Sequence, residues 1–174
     1  RILICGDVVG RSGRQVVAEH VPRLRRDLDL DFVIVNGENA AHGFGITGPL
    51  CAELYAAGAD VITTGNHVWD QREIASYIEN DPRLLRPLNY PSGTPGRGAG
   101  VFPARDGRQV MVIHPMGRLY MEPLDNPFAA VETALANHRL GASVAAIVVD
   151  IHAEATSEKM AMGVFLDGRV SAVV

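Results

Sequence analysis

Short apolar runs exchange regularly with longer amphipathic ones along this chain, and that exchange admits few folds. "RILIC" at the start, "FVIVN" (32–36) and "DVITT" (60–64) read as buried strands. Between the first two, Val17, Val21, Leu24 and Leu28 recur every three or four positions. That spacing predicts a helix over 14–28 with Arg23, Arg25 and Arg26 toward water. "TGPLCAELYAAG" (47–58) predicts a second helix, capped by Thr47 and stopped by Gly58. A third is expected at about 70–79, opened by Asp70 and Glu73 in capping-box spacing. Strand and helix in alternation mark an α/β fold.

Residues 81–100 interrupt the pattern with "RPLNYPSGTPGRGAG", too long for a plain connection and expected to be an ordered surface or site loop. "GVFPA" and "RQVMVIH" then flank "RDG", a hairpin signal that brings antiparallel strands into the fold and makes it mixed. "NPFAAVETALANHRLG" (126–141) predicts a helix with Asn126 as cap, Pro127 at its first position and Gly141 at its end. "VAAIVVDIH" is a further strand, 156–166 a further helix, and "RVSAVV" a last strand.

The 174 residues, 47% of them hydrophobic, suit one domain with a substantial core. A net charge of -4 and a pI near 5.8 argue against a generally basic surface, so no duplex nucleic acid is expected, while a local phosphate site stays open. Cys5 and Cys51 lack the spacing of a zinc ribbon or a disulfide framework and are expected to be buried thiols of a reducing compartment. No run reaches the length of a membrane span and "RILICGD" has no long apolar leader, so a cytoplasmic protein without a membrane partner is expected. An apolar helix face can meet the sheet or a second subunit, which leaves a homo-oligomer open.

Polar residues able to bind metal or phosphate follow four of the strands. They are Asp7 after "ILICG", Glu38 and Asn39 in "VNGEN", Asn66 and His67 in "TTGNH", and His152 after "IVVD". In open α/β sheets ligands gather at the carboxyl ends of the strands, so these groups can converge although the sequence separates them. Singly, each has a plainer role: Asp7 as a helix cap, Glu38 as a solvated loop acid, the asparagines as turn residues, His152 as a core histidine. Together, carboxylates, amide oxygens and imidazoles without thiolate suit two hard or borderline cations, with Glu38 able to bridge them. Two such ions can hold hydroxide and a phosphoryl oxygen for in-line displacement. Asn66 then gives its oxygen to metal while His67 reaches substrate. A competing reading takes Gly6, Gly10 and Gly13 of "GDVVGRSG" as a dinucleotide-binding turn with Glu38 on a ribose, but the spacing is not G-x-G-x-x-G.

With these residues assembled, the sequence resembles the YmdB family of calcineurin-like metallophosphoesterases along essentially its whole length. The blocks "GDVVGRSGR", "DFVIVNGENAAHGFGIT", "DVITTGNHVWD", "RPLNYPSGTPGRGAGVF", "DIHAEATSEKMAMG" and "DGRVSAVV" carry the likeness. The resemblance implies a four-layer α/β/β/α sandwich with mixed sheets. It also implies a phosphodiesterase acting on cyclic nucleotides such as 2′,3′-cyclic AMP through a hydroxide activated by two metals, with iron or manganese expected and magnesium or zinc admissible. By the same resemblance Asp7 and Asn39 bind the first metal, Glu38 bridges both, Asn66 and His152 bind the second, and His67 donates a proton to the leaving oxygen. Family members continue past the matching "SAVV" with a G-T-H-T-H segment that completes both metal shells, so the domain is expected to be truncated at its C-terminus. "GDVVG" stands where the wider superfamily has D-x-H.

Weaker expectations attach to His42, near Glu38 in sequence, and to Arg97 in the Pro/Gly loop, either of which can touch substrate or face solvent. Glu154, Ser157 and Glu158 are expected to cap or support, His114 to line the site, and His20 and His138 to be structural. Phosphomonoester hydrolysis on the same site, or nucleotide binding without turnover by a regulatory protein, are the alternatives to the phosphodiesterase.

Overall fold

The computed structural model describes residues 1–174 and contains two four-stranded sheets. The first holds β1 (Ile2–Cys5), β2 (Phe32–Asn36), β3 (Val61–Thr63) and β4 (Leu84–Leu85), all parallel and in chain order. Its connections run through α1 (Gly10–Asp27), α2 (Gly48–Ala56), and a 3-10 turn (Asn66–Trp69) followed by α3 (Ile74–Ile78). Each strand is added on the same side of the last, and right-handed crossovers then place all three helices on one face. The second sheet pairs β5 (Ala99–Pro103) antiparallel to β6 (Gln109–Ile113), then adds β7 (Ala146–Val149) and β8 (Ala172–Val173) in parallel. Its crossover helices are α4 (Pro127–Leu135) and α5 (Thr156–Phe165).

Three apolar clusters define four layers. Val33 and Val35 of β2 pack with Val17, Val21, Cys51, Leu54, Ile74 and Ile78 of the first helical layer. The alternate residues Phe32 and Ile34 face the other way, against Phe102, Val110, Val112 and Val148 of the second sheet. Met111, Ile113, Ile147 and Val149 then turn outward onto Val131, Leu135, Met162 and Leu166 of α4 and α5. The two-residue period of a strand thus serves both faces at once, which explains why these runs are apolar throughout. The result is the expected α/β/β/α sandwich, in which the second sheet is mixed while the first is wholly parallel. No helix is long and apolar enough to cross a membrane.

Several local expectations need correction. The third helix covers only Ile74–Ile78, because residues 66–69 form the 3-10 turn and the Asp70 carboxylate is bound to His67 rather than to a helix end. Asn126 does cap α4, accepting from the Phe128 and Ala129 amides, but the helix stops at Leu135 instead of Gly141. Residues 139–144 close a separate turn there, in which Ser143 Oγ accepts from the Arg139 amide at 2.8 Å. His138 therefore lies beyond the helix. Thr47 occupies the cap position of α2 without a side-chain hydrogen bond. Cys51 is buried as expected, whereas Cys5 on edge strand β1 is only half-buried. Strand β4, inside the Pro-rich stretch, is too short to have shown a pattern.

Candidate metal centre

The carboxyl ends of β1, β2 and β3 in one sheet meet that of β7 in the other. Two hydrogen bonds fix this corner. Thr63 Oγ1 donates to Asp150 Oδ2 at 2.5 Å across the sheets, and Asn36 Nδ2 donates to the Thr64 carbonyl at 2.7 Å. Asn36 Oδ1 in turn accepts from the Glu38 amide at 3.1 Å, setting the turn that points the Glu38 carboxylate inward. The site gathers from two sheets, whereas the strand-end rule that anticipates it describes one.

Glu38 is 3% exposed, and one ligand atom each from Asp7, Glu38 and His152 lie within 4.8 Å of one another. His152 Nε2 stands 2.9 Å from Asn66 Oδ1 and 3.4 Å from Glu38 Oε1. Asn39 Nδ2 donates to Glu38 Oε1 at 3.1 Å, leaving Oδ1 for another ligand. The five residues expected as metal ligands are therefore brought together. A cavity of about 430 Å³ opens onto them. Asp7, at φ 23, does not cap α1, whose cap position is Val9. Glu38 sits among these side chains, facing Asp7 and His152.

Gly65 makes the approach possible. A Cβ there would stand 1.9 Å from Glu38 Oε2 and 2.6 Å from His152 Nε2, so any other residue would occupy the space the ligands share. Neither Asp7 nor Glu38 pairs with an Arg or Lys, and a buried carboxylate so placed calls for a cation or a proton. Burial pushes the Glu38 carboxyl up, with Asp7 adding to the shift and His152 opposing it. Burial likewise pushes the His152 imidazole down. Both groups are driven toward neutrality, which is the condition a bound cation reverses for the carboxylate and exploits for the imidazole. The oxygen and nitrogen donor set fits divalent or first-row transition ions.

His67 borders the same cavity but serves differently. Its Nδ1 lies 2.7 Å from Asp70 Oδ2, and the Phe44 ring meets its edge at a centroid distance of 5.0 Å. Two contacts thus hold the ring and leave Nε2 for a ligand. Asp70 was expected to cap a helix; its three-residue offset from His67 within a 3-10 turn was the only sequence signal of its actual partner. Asp150 and Lys159, both on the cavity wall, were missed as well. Lys159 is the sole lysine in the sequence, a signal that composition alone carried.

The remaining expectations divide. Glu154 lines the cavity, while Glu158 accepts from the Arg118 and Leu119 amides at 2.9 and 3.0 Å. His114 is fully buried behind His152, with Nδ1 2.8 Å from the Asp150 carbonyl. His42 and Arg97 are exposed and lie off the cavity wall. His20 sits on α1 beside Arg23.

A family model described as YmdB-like protein matches residues 3–174. The chain belongs to the YmdB-like family. It is 48% identical over all 174 residues to the 2′,3′-cyclic-nucleotide 2′-phosphodiesterase of Bacillus subtilis, and covers 65% of that protein's length. The crystal structure of a hypothetical protein from Thermus thermophilus superposes with a TM-score of 0.90 at 41% identity, over 99% of this chain and 65% of that one. A structure described as a novel phosphatase from Mycoplasma pneumoniae gives 0.87 at 30% identity, over 99% and 63%. This chain thus spans about two thirds of the length of the YmdB-like relatives it matches.

Proposed function

We propose that this chain carries the catalytic centre of a metal-dependent phosphodiesterase that opens 2′,3′-cyclic nucleotides at the 2′ oxygen. The observation that carries the reading is the buried Glu38 carboxylate, without an Arg or Lys partner, where Asp7 and His152 converge on it and a separately held His67 stands beside them. The name of the Bacillus subtilis relative supplies the substrate class.

In this reading Asp7 and Asn39 would hold one ion and Asn66 and His152 the other, with Glu38 a ligand available to both, and iron or manganese is favoured over magnesium or zinc. When bound, the ions supply Lewis acidity toward the phosphoryl oxygens and a water acidic enough to attack phosphorus at neutral pH. Lys159 offers an ammonium to the phosphate from the cavity wall. As the bond from phosphorus to the 2′ oxygen breaks, His67 gives that oxygen a proton, and the 3′-phosphomonoester remains. Asp70 keeps the ring oriented by accepting at Nδ1. His42 and Arg97, off the cavity wall, have no part in this step.

The test combines metal analysis with product identification. Metal-loaded protein should convert 2′,3′-cyclic AMP to 3′-AMP; His67→Ala should keep its metal and lose about 100-fold or more in kcat, whereas Glu38→Ala should lose the metal. Stoichiometric metal without hydrolysis of any phosphodiester would overturn the reading, and hydrolysis of monoesters alone would replace it with a phosphomonoesterase. A His67→Ala protein empty of metal would make His67 a ligand.

A further inference from the structure

A second cavity, of about 290 Å³, lies against the first and shares Asn66, His67 and Glu154 with it. His67 thus stands in the wall between the two. Tyr120, Met121 and Glu122 form the far side. We infer that this second cavity receives the nucleoside of the substrate, favours a base bearing an exocyclic amino group, and rejects a second phosphate. The inference rests on the phosphodiesterase reading and adds its specificity.

Tyr120 is the first ground. Its side chain is 93% exposed and its backbone stands at φ 63, a conformation that a residue with a Cβ adopts at some cost. The segment around it is nevertheless anchored. Glu158 accepts from the Arg118 and Leu119 amides, and Asn89, itself buried, accepts from the Met116 amide at 2.8 Å and donates to the Met116 and Asp125 carbonyls at 2.9 Å. A ring held out by an anchored loop, beside the proton donor and with Met121 next to it, is a face on which a base can stack.

Charge is the second ground. Asp70, Glu122 and Glu154 face this cavity and no Lys or Arg does. Carboxylates only accept hydrogen bonds, so they suit ribose hydroxyls and the amino groups of adenine or cytosine and leave the carbonyl edge of uracil unmatched. An added phosphate would enter a field of its own sign. The adjoining cavity differs in holding Lys159, an ammonium that can meet the single phosphate of the substrate. Position follows from the reaction: with the 2′ oxygen at His67, the nucleoside extends past that ring into this space.

Steady-state kinetics of the metal-loaded protein on three cyclic nucleotides and bis(p-nitrophenyl) phosphate, with calorimetry on adenosine, provide the test. We expect kcat/KM for 2′,3′-cyclic AMP to exceed that for 2′,3′-cyclic UMP about tenfold through KM, as one stacked and hydrogen-bonded base allows. A 5′-phosphate on cyclic AMP should cost about another tenfold, and Glu122→Gln with Glu154→Gln should recover most of it. Tyr120→Ala should raise KM for cyclic AMP about tenfold and weaken adenosine binding, whereas Tyr120→Phe should match the parent. Equal use of the two nucleotides, or a Tyr120→Ala protein with unaltered KM, overturns the inference. If bis(p-nitrophenyl) phosphate and the nucleotides alike are untouched, the hydrolase reading has failed, and adenosine binding lost or kept in Tyr120→Ala still decides the subsite.

Discussion

At Glu38 and His152 the ionisation of single side chains bears on stability and, in the proposed function, on metal binding. Burial holds the Glu38 carboxyl above its ordinary 4.5 and the His152 imidazole below 6.5. Stability from the Glu38 group is therefore whole below pH 4.5 and is lost as pH rises through the raised folded value. That from His152 is whole above pH 6.5 and is lost as pH falls through the depressed one. When that carboxylate is ionised with no cation beside it, burial makes it costly. Glu38→Gln should then raise the melting temperature of the metal-free protein at pH 7, by about 2–4 °C per kcal/mol relieved, while abolishing metal binding. Thermal unfolding in chelator with metal analysis checks both halves; a lower melting temperature would mean that something other than a cation stabilises that charge. If Glu38 is a ligand, metal competes with protons for its carboxylate and affinity should fall as pH drops. Asp70→Asn should leave metal content intact and lower kcat about tenfold, since it loosens the ring without removing it. An unchanged kcat would show that Phe44 and the backbone suffice to hold His67.

Among the elements, the stretch between β4 and β5 is ordered by one cation rather than by strand or helix pairing. Arg86 is 8% exposed and donates to the carbonyls of Pro87, Leu88, Thr94, Pro95 and Gly96. Its fork of donors collects carbonyls that a Pro- and Gly-rich chain leaves without strand or helix partners. Close backbone packing completes the arrangement, for a Cβ on Gly98 would stand 2.2 Å from the Leu88 Cα. Lysine cannot reach five carbonyls, so Arg86→Lys should cost about 2–3 kcal/mol and lower the melting temperature by about 4–12 °C. The same change should expose 86–98 to limited proteolysis. The Leu88 amide bonds the His114 carbonyl and Asn89 ties the Tyr120 loop, so the loosening should also raise KM. Unchanged stability would mean that the Gly and Pro conformations alone fix the loop.

For the whole molecule, the candidate metal centre lies where the two sheets meet. Asp7, Glu38, Asn39 and Asn66 follow strands of one sheet and His152 follows a strand of the other, so a bound ion fastens the halves as the Thr63 to Asp150 hydrogen bond does. A ligand at 100 times its dissociation constant stabilises the folded state by about 2.7 kcal/mol. Chelation should therefore lower the melting temperature by about 5–10 °C relative to protein saturated with manganese. A difference near zero would place metal affinity too low for the two-ion reading.

Which segments become strands and helices, and which polar residues follow them, was legible along the chain. Periodicity and the βα alternation are local properties, and the five candidate ligand positions stand out because each closely follows such a run. Recognition of the long blocks from "GDVVGRSGR" to "DGRVSAVV" supplied the roles. Partners far apart in sequence had no local sign: Asp150 beneath Thr63, Asn89 under the Tyr120 loop, Lys159 on the cavity wall. Asp70 shows the limit best, since its spacing fits a capping box and a turn that returns it to His67 equally well. The packing of α3 and the 3-10 turn against the sheet settles that choice. Convergence of a buried carboxylate with an imidazole from another sheet depends on how layers stack, and that is set by the sum of apolar contacts over the whole molecule.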